Sequence, residues 1–388
     1  MRKVYMDNIA TTPCHPKVVE AMQPYFRDIF GNPQSDHEFG WKAKTDIEEA
    51  RVKVANLINA DAGEIIFTSS ATEANNFVLK GISHAYEKKG RHIIISAIEH
   101  RSMLTPCKFL EKSGSKVTYL PVDKYGMVNP DDLRKAITDE TILTSIMLAN
   151  NEIGTIEPVV ELSKIAKEKG ILFHTDAACA VGTIPVDVNE LNVDLMSLTA
   201  HKFYGPKGVG ALYVRKGVKI TPLIHGGVQE RGRRTGIENV PGIVGFGVAS
   251  ELAKAEMKER NKHLISLRDR LVKGVLERID HVYYNGHPTE RLPNNANFVI
   301  EFVEGEAMLL SLMNEGIATA SASTCTMMSL EVSHVLTSIG LPAHVANSSL
   351  VFSLGTNNTE EDVNRVLEVL PKVVERLRSM SAIYPGRQ

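Results

Sequence analysis

The chain has 388 residues, 43% hydrophobic and 23% charged, with a formal net charge of -2. That profile describes a globular protein with room for a large core and two domains. The near-neutral balance gives no electrostatic case for nucleic acid or an anionic membrane surface, and no run approaches the ~18 apolar residues of a membrane span. The opening "MRKVYMDNIATTP" meets Asp7 and polar residues where a secretory signal has its apolar core. Four cysteines, at 14, 107, 179 and 325, show no paired metal-type spacing. A cytoplasmic protein with reduced thiols and no metal is expected.

In chain order, "EIIFTSS", "RHIIISAIEH", "KVTYLPV", "TILTSIMLANN", "GILFHTDAA", "DLMSLTAHK" and "VGALYVR" read as strands. Between them, "EANNFVLKGISHAYEKKG", "RSMLTPCKFLEKSG" and "VVELSKIAKEKG" read as amphipathic helices, each closed by glycine. Nearly continuous apolar strands joined by helices predict an α/β fold with a mostly parallel seven-stranded sheet, covered on both faces. A long amphipathic pattern over 242–279 then joins a smaller α+β unit. There "NNANFVIEFV" and "LVFSLGTN" read as strands, "EGEAMLLSLMNEG" as a helix, and "TEEDVNRVLEVLPKVVERLRSM" as a closing helix capped by Thr359.

Polar residues gather at the carboxyl ends of the predicted strands, where such sheets bind ligands: Ser69 to Glu73, His100, Asn151, Asp176, and His201 with Lys202. Taken alone, Asp176 and Lys202 read as a structural ion pair, and Ser70 as an N-cap. Taken together, they match the needs of pyridoxal phosphate. Small hydroxyl residues and free N–H groups at a helix start suit its phosphate. A lysine amine suits its aldehyde, and a carboxylate keeps its ring nitrogen protonated. His100 offers a flat face for the ring, while Thr199 and His201 flank the lysine.

The chain resembles the NifS/IscS-type cysteine desulfurases, fold-type I pyridoxal-phosphate enzymes, over essentially its whole length. The stretches that carry this include "YMDNIATTP", "FGNPQSDHEFG", "SSATEANN", "EHRSML", "ANNEIGT", "HTDAA", "SLTAHKFYGPKGVGALYV", "GRRTGIENV", "RLPNNANF" and "STCTMMSLEVSHVL". The resemblance implies that Lys202 carries the cofactor and Asp176 pairs with its pyridinium. It puts His100 on the ring as acid/base, Asn151 and Cys179 near the phenolic oxygen, and Ala71, Thr72, Thr199 and His201 around the phosphate. It makes Cys325 the nucleophile that takes sulfur from L-cysteine as a persulfide, leaving L-alanine. It also implies a homodimer and a sulfur acceptor or iron–sulfur scaffold as partner. The expected division is an N-terminal arm (1–15) packing on the small domain, a large cofactor domain (16–254) and a small domain (255–388) carrying the Cys325 loop.

The departures from the family pattern cluster around the site. Cys179 replaces a glutamine, Ile237 a threonine that reaches the neighbouring subunit's phosphate, and Val228 the third glycine of a glycine run. Ala322 and Thr324 replace the glycine and alanine that precede the nucleophile. Val351 stands where many members hold the substrate carboxylate with arginine, and Thr356 where many carry a second one. Arg233 and Arg234 are the motif's nearest substitute cations. Two alternatives therefore stand beside the desulfurase: a same-fold enzyme with another substrate (selenocysteine lyase, β-lyase or epimerase), and a weakly active scaffold.

Overall fold

A computed structural model describes residues 2–322, 332–381 and 384–385. The chain runs β1 (Val4–Tyr5), α1 (Pro16–Met22), α2 (Glu38–Leu57), β2 (Ile65–Thr68), α3 (Ala71–Ala85), β3 (His92–Ser96), α4 (Arg101–Lys112), β4 (Lys116–Leu120) and α5 (Pro130–Ala136). There follow β5 (Thr141–Ser145), α6 (Val159–Glu168), β6 (Leu172–Asp176), β7 (Leu195–Thr199), β8 (Gly210–Val214) and α7 (Val240–Arg278). The last part holds β9 (Val282–Asn285), β10 (Asn295–Ile300), α8 (Gly305–Asn314), β11 (Ile317–Ala318), α9 (His334–Ser338), α10 (Ala343–Ala346), β12 (Ser349–Ser353) and α11 (Glu360–Met380).

The seven-stranded sheet has the order β2-β8-β7-β6-β5-β3-β4, and only β8 runs against its neighbours. Strands β3, β5 and β7 are buried at every position, and β6 at all but Leu172, because helices cover both faces. Side chains alternate between two cores, as pleating requires. Ile93 and Ile95 face one with Phe77 of α3 and Met103 of α4. Ile94 faces the other with Ile47 of α2 and Leu162 of α6.

The second sheet, β12-β10-β9, is antiparallel and packs with α8, α11 and the far half of α7. Along α7 the buried residues Ile243, Phe246 and Ala253 belong to the core of the large sheet, whereas Leu264, Leu267 and Leu271 belong to the second. The N-terminal segment joins this second part, with β1 parallel to β11 and Asp7 bridged to Ser353.

Two sequence expectations need correcting. The strand read over 141–151 ends at Ser145; Ile146 and Leu148 still donate to the β6 carbonyls of His174 and Asp176, and the chain turns at Asn150, whose Oδ1 accepts the Glu152 and Ile153 N–H groups. The sequence reading begins its elements at Glu64, yet α1 and α2 precede it. His174 lies inside β6 and links Ser145 of β5 (2.7 Å) to Ser197 of β7 (3.0 Å), where burial pushes its pKa down to about 3.

Candidate active site

A cavity of about 480 Å³ opens at the carboxyl ends of the large sheet's parallel strands. One wall is the turn from β2 into α3. Ser70 is extended and caps the helix by accepting the Glu73 N–H (3.1 Å), while Glu73 accepts the Ser69 N–H (2.8 Å). Among the described residues the N–H groups of Ala71 and Thr72 find no acceptor, and both residues line the cavity. Gly210 of β8 permits the close approach here, since a Cβ would stand 2.7 Å from the Ser70 carbonyl carbon.

Lys202 enters from the tight turn after β7. It forms no ion pair among the described residues. Its Nζ donates to the carbonyls of Ile9 and of Ala10, the latter at 3.1 Å. The amine is thus held by the N-terminal segment rather than neutralised by a carboxylate, although Asp7 also lines the cavity. Burial raises the Asp7 pKa, and Lys202 opposes that shift.

Asp176, at the end of β6, accepts from Asn75 Nδ2 (2.7 Å) and the Ala178 N–H (3.0 Å). The same Asn75 nitrogen donates to Ser102 Oγ (2.8 Å), which lies 2.8 Å from His100 Nδ1. His100 caps α4, and burial lowers its pKa against the opposing field of Asp176. His201 is pushed down to about 4, mainly by burial and then by Lys202 and Lys207. Its Nδ1 meets Thr11 Oγ1 at 3.2 Å, and Thr199 Oγ1 donates to the Val209 carbonyl at 3.2 Å. Asn151 and Cys179 complete this lining.

The cavity therefore gathers Ala71, Thr72, His100, Asn151, Asp176, Cys179, Thr199, His201 and Lys202. Cys325 lies outside the described residues. Asn75 and Ser102 went unread in the sequence, because polar residues inside helices carry no sign of what they face. Glu152, also unread as a site residue, lines the cavity beside Asn151. Burial pushes its carboxyl up to about 7, against a hydrogen bond from Ser333.

A second part of the lining is mostly apolar: Met147, Ala149, Ala320, Ala322 and Val351, with Ser321 among them. Neither Arg233 nor Arg234 lines the cavity, and no other arginine does among the described residues. Arg234 is paired with Glu73 at 3.0 Å, so it is no substitute carboxylate anchor. Glu230 sits in a left-handed turn (φ 46) and forms a buried pair with Arg51 at 2.7 Å, while accepting the Phe67 N–H at 2.9 Å. This brace holds β2, the strand that launches the α3 cap.

Residues 4–366 match the aminotransferase class-V family. The chain belongs to that family. It is 57% identical over 384 residues to the cysteine desulfurase IscS of Methanosarcina thermophila, covering 99% of this chain and 95% of that one. A solved NifS-like protein is 40% identical with a TM-score of 0.92, covering 97% of this chain and all of that one. A structure of SspA in complex with cysteine is 35% identical with a TM-score of 0.81, covering 91% of this chain and 99% of that one. The resemblance carried by the motifs is thereby established: this is a pyridoxal-phosphate enzyme of the NifS/IscS cysteine desulfurase type.

The residues present fit that cofactor. Two acceptor-less N–H groups at a helix start suit a phosphate dianion. A lysine amine without a carboxylate partner suits an aldehyde, and a buried carboxylate suits a protonated ring nitrogen.

Proposed function

We propose that this enzyme converts L-cysteine to L-alanine and carries the released sulfur as a persulfide on Cys325. Ala71, Thr72, Thr199 and His201 would hold the cofactor's phosphate. Asp176 would serve the ring nitrogen, Asn151 and Cys179 the phenolic oxygen, and His100 the ring as acid/base partner. Lys202 would hold the aldehyde, and its amine is the base in the cavity for the Cα proton. The bound cofactor supplies the electron sink that makes that proton removable.

The sulfur step balances without an outside oxidant. The Cys325 thiolate attacks the substrate sulfur, an S–S bond forms, and the Cβ–S bond breaks with its electron pair left on carbon. One proton taken up at Cβ, with return of the Cα proton, completes alanine. The observation that carries this reading is one cavity, at the strand ends, shared by Lys202, Asp176 and the α3 cap. The test incubates the yellow holoenzyme with L-cysteine and assays alanine and sulfide, with Cys325→Ala in parallel. Alanine from the parent and none from the variant is expected. Alanine formed equally by both rejects the persulfide route.

The reading extends to a cytoplasmic homodimer that passes sulfur to an acceptor for iron–sulfur assembly or thiolation. Exposed Phe30, Phe39, Trp41, Val228 and Ile237 support a partner subunit, since large side chains of this kind gather at interfaces. Among the described residues no helix is long and apolar enough to cross a membrane. Division into an arm (1–15), a cofactor domain (16–254) and a small domain (255–388) is supported by the change of core along α7.

One observation favours a second reading. Among the described residues, the wall at Val351 offers a substrate carboxylate no arginine. A same-site enzyme acting on another amino compound would give no alanine from cysteine. Its substrate would be sought among selenocysteine, cystathionine-like thioethers and simple amino acids.

A further inference from the structure

The hydrogen bonds behind His100 run in one direction. Asn75 is fully buried, and both hydrogens of its Nδ2 are engaged, one by Asp176 Oδ2 (2.7 Å) and one by Ser102 Oγ (2.8 Å). Its Oδ1 has no partner, as expected when only the amino group is in use. Turning the amide over would set Oδ1 against the Asp176 carboxylate, oxygen to oxygen. Ser102 Oγ therefore receives Asn75, and its single hydrogen is free for His100 Nδ1 at 2.8 Å. The same ring nitrogen accepts the Ser102 backbone N–H at 3.1 Å. Two donors converge on Nδ1, which leaves it no proton of its own. Nε2, the nitrogen with no partner among the described residues, carries the hydrogen on a ring that lines the cavity.

We propose that Asn75 and Ser102 are positioning residues that lock His100 as a neutral imidazole protonated at Nε2. In that form His100 serves the cavity as a hydrogen-bond donor, and proton abstraction falls to Lys202 alone. Protonating the ring would put a hydrogen on Nδ1, facing the Ser102 N–H, and would forfeit that bond. The charged groups that act on His100 are Asp176 from β6, Lys202 after β7, Arg101 from its own helix and His334 of α9. Of these, Asp176 alone favours the cation, and its Oδ2 is already occupied by Asn75; Glu99 and Glu152, which border His100 in an adjoining crevice, are pushed toward the neutral acid by burial. Burial tilts the balance to the neutral ring, and losing the converging donors adds to the cost of protonation. This narrows the acid/base role assigned above, and it rests on that reading only for where the cofactor lies. The tautomer is readable without turnover.

The test is a long-range proton–nitrogen correlation spectrum of the holoenzyme labelled with ¹⁵N-histidine, with His100 assigned by comparison with His100→Gln. A pyridine-type Nδ1 and a pyrrole-type Nε2 are expected, unchanged from pH 6 to 8. A proton on Nδ1, or an imidazolium at pH 7, overturns the proposal. In Ser102→Ala and Asn75→Ala the His100 titration is expected to rise by about one pH unit, with the acid limb of kcat/KM following it. Ser102→Thr should restore the parent value. Folded variants whose His100 titrates as in the parent also overturn the proposal. Should either variant fail to fold, the parent spectrum decides. Failure of the desulfurase reading is seen separately, as absence of alanine from L-cysteine.

Discussion

The two walls of the cavity differ in how they are built. On the cofactor side, Asp176, Asn75, Ser102 and His100 form an unbroken hydrogen-bonded series, backed by the α3 cap and the Arg51–Glu230 brace. On the other side, Ala320, Ala322 and Val351 present methyl groups beside Ser321, with no cation among the described residues. Each buried polar atom of the series depends on the next, so a change to one is felt by the others. Ala320 and Val351 are instead joined through their backbones.

The largest effect expected on this contrast is from Lys202→Ala. Alanine formation should fall by roughly 10³-fold or more, with loss of the visible band that borohydride removes from the parent. Turnover within tenfold of the parent would mean that the cofactor wall had been misassigned. Next, Arg51→Ala leaves Glu230 buried and unpaired, at a cost of about 3–5 kcal/mol. Urea unfolding should show it directly, and cofactor affinity should fall with it because β2 carries the α3 cap. Val351→Arg tests the other wall. Supplying the missing charge should lower KM for L-cysteine by roughly tenfold or more, with little change for its methyl ester. Equal effects on acid and ester would show that this wall does not meet the carboxylate.

The smallest effect concerns Glu157, on the turn that follows Asn151. Burial, with help from Asp123, pushes its carboxyl up to about 8 against the Val128 N–H bond. Between the ordinary carboxylate value and about 8, the folded state holds a proton that the unfolded chain has released. Stability should therefore fall as pH rises through that window, by at most about 1.4 kcal/mol per pH unit. Glu157→Gln should reduce the slope measured by urea unfolding at pH 5 to 8, with Glu152, pushed up to about 7, supplying part of what remains. A variant whose slope equals the parent's would place Glu157 in contact with solvent.

The sheet was legible because its strands are apolar at nearly every position and end in polar clusters. The α3 cap was legible in Ser70 and Glu73, which are three residues apart. Helix α2 was not, since buried Asp46 and Arg51 interrupt its apolar stripe while Phe39 and Trp41 lie exposed. The site residues with motif signals fall in one cavity, but the groups supporting them are distant in the chain. Arg234 reaches Glu73 across 161 positions, and Asn75 reaches Asp176 across 101. No local pattern announces such pairings, so Arg234 reads as a free cation until the fold occupies it.

Helix α7 runs 39 residues without a break, a rod of about 58 Å. Each half contributes apolar residues to a different core. Severing the chain near its middle would leave either piece with a bare oily stripe and a frayed helix stump. Neither half should be recoverable as an independent soluble fragment, and melting of the intact protein should engage both cores through this common strut.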